Sequence, residues 1–136
     1  MSYGQQWSAW AFVQRSAEDF SDVSTATTVV QESDEISLEG KTSCEIGIDV
    51  EEKSAASPTG NVRVLIAGYG ATGWTDEDEG AHVVHEIVAV ASTKVHANVM
   101  VDAMRHGSFK VLIDNGSDQT LHVSVKIRTA VFGENT

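Results

Sequence analysis

The sequence has few of the residues that mark secreted, membrane or disulfide-linked proteins. Its 136 residues include one cysteine and one proline, and no stretch approaches the roughly 20 apolar residues that span a bilayer. The single thiol, Cys44, excludes an internal disulfide, so stability must come from packing or assembly. The first seven residues lack the basic and apolar regions of a signal peptide. We therefore expect a soluble protein made in the cytoplasm.

Basic residues are also scarce. Nine lysines and arginines stand against twenty aspartates and glutamates, which gives a formal net charge of −11. Most of this imbalance lies in residues 1–56, where eleven acids and three bases leave a net charge of −8. A surface of this sign repels phosphate backbones and anionic lipids, so we expect no direct binding to nucleic acid or to a membrane. It favours solubility and a basic partner surface.

The apolar residues, 41% of the chain, follow strand patterns. Residues 44–51, 94–101 and 120–132 alternate with period two, as half-buried strands do. Clusters of β-branched and other apolar residues predict further strands at residues 24–30, 36–38, 61–67, 82–90 and 108–113. Glycine and polar clusters mark the turns, among them Asn115-Gly116, a pair that tolerates positive φ. About seven or eight strands at this spacing predict an all-β, antiparallel β-sandwich of jelly-roll or immunoglobulin-like type.

The N-terminal segment is unusually aromatic. Trp7, Trp10, Phe12 and Phe20 all fall within residues 1–22, which we separate from a β-sandwich domain at residues 23–136. Aromatic side chains this concentrated are seldom left in water. Either the segment packs on its own sheet, or it is an arm that docks on a neighbouring subunit.

Residues 68–80 form a glycine-rich, acidic stretch that we expect to be a loop. Gly68 to Gly73 fit G-x-G-x-x-G after a strand, but Trp74 and four acids follow instead of a helix, which excludes a dinucleotide site. Tyr69 and Trp74 could stack on a sugar, or simply pack within the loop. The run at residues 76–79 could attract Ca²⁺, but it lacks the EF-hand spacing, so a solvated loop is favoured.

No arrangement of residues predicts catalysis, a metal site or a cofactor. His82 and His85 fall on a predicted strand, where positions three apart face opposite sides, and strand-face histidines are the simpler interpretation of all five. Cys44 belongs to an apolar stripe, so its thiol should be protonated and inert. No serine lies in a G-x-S-x-G motif. We therefore predict a protein that is not an enzyme.

Three stretches carry a resemblance to a known group of proteins. Residues 34–41 (DEISLEGK), 45–50 (EIGIDV) and 108–128 (SFKVLIDNGSDQTLHVSVKIR) resemble small tailed-bacteriophage virion proteins of the capsid decoration, or cement, type. The resemblance covers about 100 residues and rests on pattern, not on an invariant motif. It implies a jelly-roll or immunoglobulin-like sandwich in the virion that binds the major capsid protein or other virion proteins, as a symmetric dimer or trimer. It carries no catalytic or ligand residues.

Two functions are expected from these observations. In the first, the chain is a decoration protein, and Trp7, Trp10 and Phe12 contact the partner. In the second, it is a receptor- or carbohydrate-binding β module of a phage tail or neck, and Tyr69 with Trp74 bind the ligand.

Overall fold

A computed structural model of the chain describes residues 2–70, 73–74, 81–101 and 107–135. Over these ranges the chain contains strands and no helix, hence no helix long and apolar enough to cross a membrane. The prediction of an all-β fold is confirmed. The strands are β1 (Ser2–Trp7), β2 (Ala11–Phe12), β3 (Gln14–Arg15), β4 (Glu18–Asp19), β5 (Val23–Thr25), β6 (Val30–Glu32), β7 (Ile36–Ser37), β8 (Ser43–Glu52), β9 (Val62–Gly70), β10 (Gly73–Trp74), β11 (His82–Ile87), β12 (Thr93–Val101), β13 (Ser108–Asn115) and β14 (Leu121–Asn135).

Two antiparallel sheets form the fold. The first sheet has the order β1-β14-β8-β12, and β2 and β5 also pair with β14 along the edge that β1 uses. The second sheet has the order β10-β9-β13-β6, with β11 paired to β9 and β7 paired to β13. A small hairpin joins β3 to β4. Apolar residues of both sheets form one buried cluster, so the sheets pack as the predicted β-sandwich.

The core follows the predicted alternation. In β8, Ile46, Ile48 and Val50 are buried, and their partners in β14 include Val123 and Val125. The second sheet contributes apolar side chains from β9, β11 and β13 to the same core. Its buried members that share the cluster are Val62, Val64, Ile66, Ile87, Phe109, Val111 and Ile113.

Residues 24–30 depart from the prediction of one strand. Thr25 ends β5 and pairs with Leu121 in the first sheet, whereas Val30 begins β6 and pairs with Asp114 in the second. A turn at residues 26–29 connects the two, closed by the bond from the Val29 amide to the Ala26 carbonyl at 3.1 Å. β-Branched residues favour strands in general but do not specify which sheet a strand joins. Strand propensity therefore did not reveal that the chain crosses from the first sheet to the second within residues 24–30.

Two turn regions also differ from expectation. The predicted loop beginning at residue 68 is still strand through Gly70, and Gly73–Trp74 pairs back on it as β10. At the Asn115-Gly116 turn neither residue has a positive φ. Instead, the buried side chain of Asn115 shapes the turn, because it donates to the carbonyls of Thr25 and Gln119 at 2.9 Å and accepts from the amide and hydroxyl of Ser117.

Within residues 2–22, β1 and β2 lie along β14 of the same chain, whereas β3 and β4 pair with each other. β1 pairs with residues 130–135, and β2 pairs with Lys126 and Ile127. Val13 and Phe20 belong to the buried core, and both make backbone hydrogen bonds to Val125. The described part of this segment therefore packs on the sheet of its own chain, and its use as an arm that docks on a neighbouring subunit stays a prediction.

Candidate binding face

One side of the first sheet carries a group of charged and polar side chains that could bind a ligand. Strand registers place them in cross-strand rows over β14, β8 and β12, and we call this surface, which points away from the core, the outer face. The rows are Arg128–Glu45–Met100, Lys126–Gly47–Asn98, Ser124–Asp49–His96 and His122–Glu51–Lys94. Alternation explains the set, because each residue lies one position away from a core residue on its strand.

An arginine lies between two indoles at one end of the outer face. The guanidinium carbon of Arg128 is 4.5 Å from the ring centroid of Trp7 and 5.1 Å from that of Trp10. Its Nε and Nη2 both lie 2.7 Å from Oε1 of Glu45. Cation–π contact and the ion pair hold the guanidinium in place from several sides. Arg128 therefore fixes the positions of both tryptophans.

Phe12 continues the aromatic row. It pairs with Lys126 across β2 and β14, and the Lys126 ammonium lies 4.9 Å from its ring centroid. Trp7 and Phe12 are half-buried, while Trp10 remains 40% exposed. The structure thus brings together three of the five aromatic residues predicted to contact a partner.

The other two predicted residues belong to the second sheet. Tyr69 of β9 and Trp74 of β10 are directly paired across a short hairpin. Their side chains, the acidic run at residues 76–79 and His106 lie outside the described part of the chain. The sugar-stacking pair at Tyr69 and Trp74 therefore stays a prediction. The same holds for the choice between a solvated loop and a Ca²⁺ site at residues 76–79.

A polar chain of hydrogen bonds crosses the outer face beside Trp10. Asp49 Oδ1 lies 2.7 Å from His96 Nδ1, and His96 Nε2 lies 2.7 Å from Asn98 Oδ1. These contacts orient the imidazole and the amide without burying them. Sequence reasoning missed this arrangement, because His96 and Asp49 come from different strands and only their register makes them neighbours.

Gly47 interrupts the outer row of β8. Glu45, Asp49 and Glu51 fill the equivalent positions, so the glycine leaves a gap in a row of carboxylates. This gap was visible in the sequence, since a glycine within an alternating strand often marks close approach of another group. It was the available signal for a site on this face.

Cys44 is buried in the apolar core, and its surroundings do not activate the thiol. Burial, with a smaller effect of Glu45, raises the pKa of the Cys44 thiol to about 12, which keeps it protonated at neutral pH. Among the described residues, no three His, Cys, Asp or Glu side chains come close enough to hold a metal ion.

Asp22 forms a second charged contact at the far end of the outer face. Lys53 Nζ lies 2.9 Å from Asp22 Oδ2. The hydrogen bond from Lys53, more than any other contact, lowers the pKa of this carboxyl. Both groups are exposed, so the pair contributes little to stability.

Comparison with known proteins finds no family model that matches this sequence and no curated protein with significant similarity.

Proposed function

We propose that this chain is a structural virion protein of the decoration, or cement, type, which binds and stabilises an assembled phage head through several surface contacts and performs no catalytic step. The major capsid protein is the proposed partner, and the chain acts as a dimer or trimer. The resemblance in residues 34–41, 45–50 and 108–128 supports this class, and the β-sandwich fold is compatible with it.

The observation that carries the proposal is a terminal ribbon, formed by β1 with residues 131–135 of β14. Pairing between β14 and β8 stops at Ala130 and Ser43, whereas β1 continues along β14 to Asn135. Val131 is 38% exposed and Phe132 is 64% exposed, although neighbouring residues of a strand face opposite sides. Both sides of the ribbon are therefore accessible. Two-stranded ribbons are marginally stable in water, and a neighbouring subunit that covers this one would stabilise it.

Charge favours a basic partner. Several described cations on the sandwich form ion pairs, as in Arg128–Glu45, Arg63–Asp114 and Lys110–Glu32, while the chain as a whole keeps a net charge of −11. A surface with excess carboxylates is attracted to a basic shell and is repelled by packaged nucleic acid. Copies of the chain bound side by side would add their individual contacts through avidity.

Phe132→Ser should weaken binding to the shell by at least about tenfold, because it removes an exposed aromatic anchor of the kind that dominates interfaces. Binding is measured by co-sedimentation with heads assembled from the major capsid protein of the same genome, and oligomeric state by light scattering after gel filtration. Val88→Ser is the matched control, since Val88 is 63% exposed but lies between β11 and β12, away from the ribbon. Equal binding by wild type and both variants would contradict the role of the ribbon, and failure of the wild type to bind would contradict the function.

A second proposed function is a receptor- or carbohydrate-binding module of a phage tail or neck. The register of β9 and β10 favours it, because it pairs two aromatic residues, Tyr69 and Trp74, at facing positions. The ligand of this module is assigned to Tyr69 and Trp74, so Trp74→Ala should abolish retention on a glycan array. Retention that survives Trp74→Ala would remove the role of that pair.

A further inference from the structure

The outer face contains a pocket whose floor is Gly47, and we call it the Gly47 pocket. Its volume is about 260 Å³, near the lower end of the range for small-molecule sites. Trp10 forms one wall. The other lining residues come from three neighbouring strands and are all polar or charged: Asp49, His96, Asn98 and Lys126.

The pocket exists because residue 47 has no side chain. A Cβ at Gly47 would lie 3.4 Å from the Trp10 ring, from Asn98 Oδ1 and from His96 Cε1, and would therefore stand where these three groups converge. Glycine within a strand is less stable than alanine by roughly 0.5–1 kcal/mol. The φ of Gly47 is not in the left-handed region, so the backbone does not require glycine here. Its remaining effect is the methyl-sized space that it leaves between Trp10, His96 and Asn98 at the floor of the pocket.

The walls are fixed before any ligand arrives. Trp10 packs on the guanidinium of Arg128, which Glu45 holds in turn. On the opposite side, His96 contacts Asp49 Oδ1 through Nδ1 and Asn98 Oδ1 through Nε2, and these two contacts set the directions of the polar groups. Preorganised walls reduce the entropy lost when a ligand binds.

The chemistry of the lining selects the class of ligand. One carboxylate and one ammonium, from Asp49 and Lys126, nearly balance in charge, which favours a neutral molecule. The lining includes both acceptors and donors, as hydroxyl groups that both donate and accept require. The exposed indole of Trp10 offers an apolar face beside them. A sugar ring combines hydroxyls at its edge with an apolar C–H face.

We propose that the Gly47 pocket binds one ring of a neutral saccharide, stacked on Trp10 and hydrogen-bonded to Asp49, Asn98 and Lys126. A second cavity of about 270 Å³ adjoins it and shares Asp49 and Lys126, with Phe12 among its lining residues. A second sugar unit of the same oligosaccharide occupies that cavity. This site is distinct from Tyr69 and Trp74 and does not depend on the proposed role in a phage head.

The test uses the full chain on an array of neutral and acidic oligosaccharides, followed by calorimetric titration with the strongest neutral oligosaccharide. We expect the wild type to bind neutral sugars. Gly47→Ala should lower affinity at least about tenfold, because the new methyl group occupies the floor of the pocket, and Trp10→Ala should lower it by a similar factor. Since 3.4 Å is ordinary van der Waals contact, Gly47→Ala should fold with unchanged or higher thermal stability.

Two comparisons make the outcome decisive. Met100→Ala alters an exposed residue of the same face outside both cavities and should leave affinity unchanged. Retention of acidic glycans alone, or of none, would overturn the proposal. So would sugar binding that is lost in Trp74→Ala but kept in Gly47→Ala, a result that would place the ligand at the hairpin of β9 and β10. Failure to bind a phage head bears only on the function proposed above.

Discussion

Gly60→Ala should lower the free energy of unfolding by about 2–5 kcal/mol, measured by urea denaturation. Gly60 has a φ of +89°, and a non-glycine residue in the left-handed region loses roughly 1–2 kcal/mol. In addition, a Cβ here would overlap the carbonyl oxygen of Gly116 and lie 3.2 Å from the Cα of Ser117. Backbone cannot move aside as a flexible side chain does, so overpacking adds about 1–3 kcal/mol.

Gly40→Ala is the matched control for this prediction. Gly40 has a φ of +73°, but nothing lies within 4 Å of the position its Cβ would take. The variant should therefore lose only the conformational part, about 1–2 kcal/mol. If the two alanine variants were equally stable, close packing at Gly60 would not be the cause.

The contact at Gly60 connects two turns that are far apart in sequence. The Thr59 amide donates to Asp118 Oδ1 at 2.8 Å, and the Asp118 amide donates to the Thr59 carbonyl at 3.0 Å. The first of these bonds is the main reason that the pKa of the Asp118 carboxyl is lowered. A lowered pKa means that the bond favours the folded state above the ordinary carboxyl pKa. This contribution is lost as pH falls through the lowered value.

The alternating strands were predictable because burial leaves a direct trace in them. β8, β12 and β14 each have one face in the core, so every second residue is apolar, as at Ile46, Ile48 and Val50. The structure of the turn before β9 was harder to predict from the sequence. Its glycine and proline marked a loop, but the left-handed φ of Gly60 and its contact with Gly116 depend on a partner more than fifty residues away.

The N-terminal segment shows where sequence reasoning stopped. The aromatic content of residues 1–22 predicted that the segment would be covered, yet composition does not identify what covers it. Its partners lie at the other end of the chain, as in the bond from the Thr129 amide to the Ser8 hydroxyl, which spans 121 positions. Trp7 and Trp10 meet Arg128 only because β1 lies along β14. The residues of the outer face likewise become neighbours only through the strand register, which the sequence does not specify. Gly47 alone indicated where the centre of this face lies.

Phe20→Ala should lower the free energy of unfolding by about 3–5 kcal/mol, a large share of the stability of a domain this size. Phe20 is fully buried in the sandwich core. Its backbone donates to the Val13 carbonyl at 2.7 Å and accepts from the Val125 amide at 2.9 Å, so this residue connects the N-terminal segment to β14 while its ring lies in the core. The phenyl cavity should therefore weaken the whole sandwich, not only residues 1–22.

The measurement compares two probes during urea denaturation in a Trp74→Phe background. Fluorescence then reports Trp7 and Trp10 in the N-terminal segment, while far-ultraviolet circular dichroism reports the sheets. We expect both curves to shift together to lower urea in Phe20→Ala, because the segment and the sandwich share one core. Phe12→Ala, which truncates a half-buried ring on the outer face of the same segment, should shift them less than half as far. Separation of the two curves, with the fluorescence change first, would mean that residues 1–22 unfold as an independent arm. The energetic boundary would then lie near residue 22, and the segment would be available to dock on a neighbour.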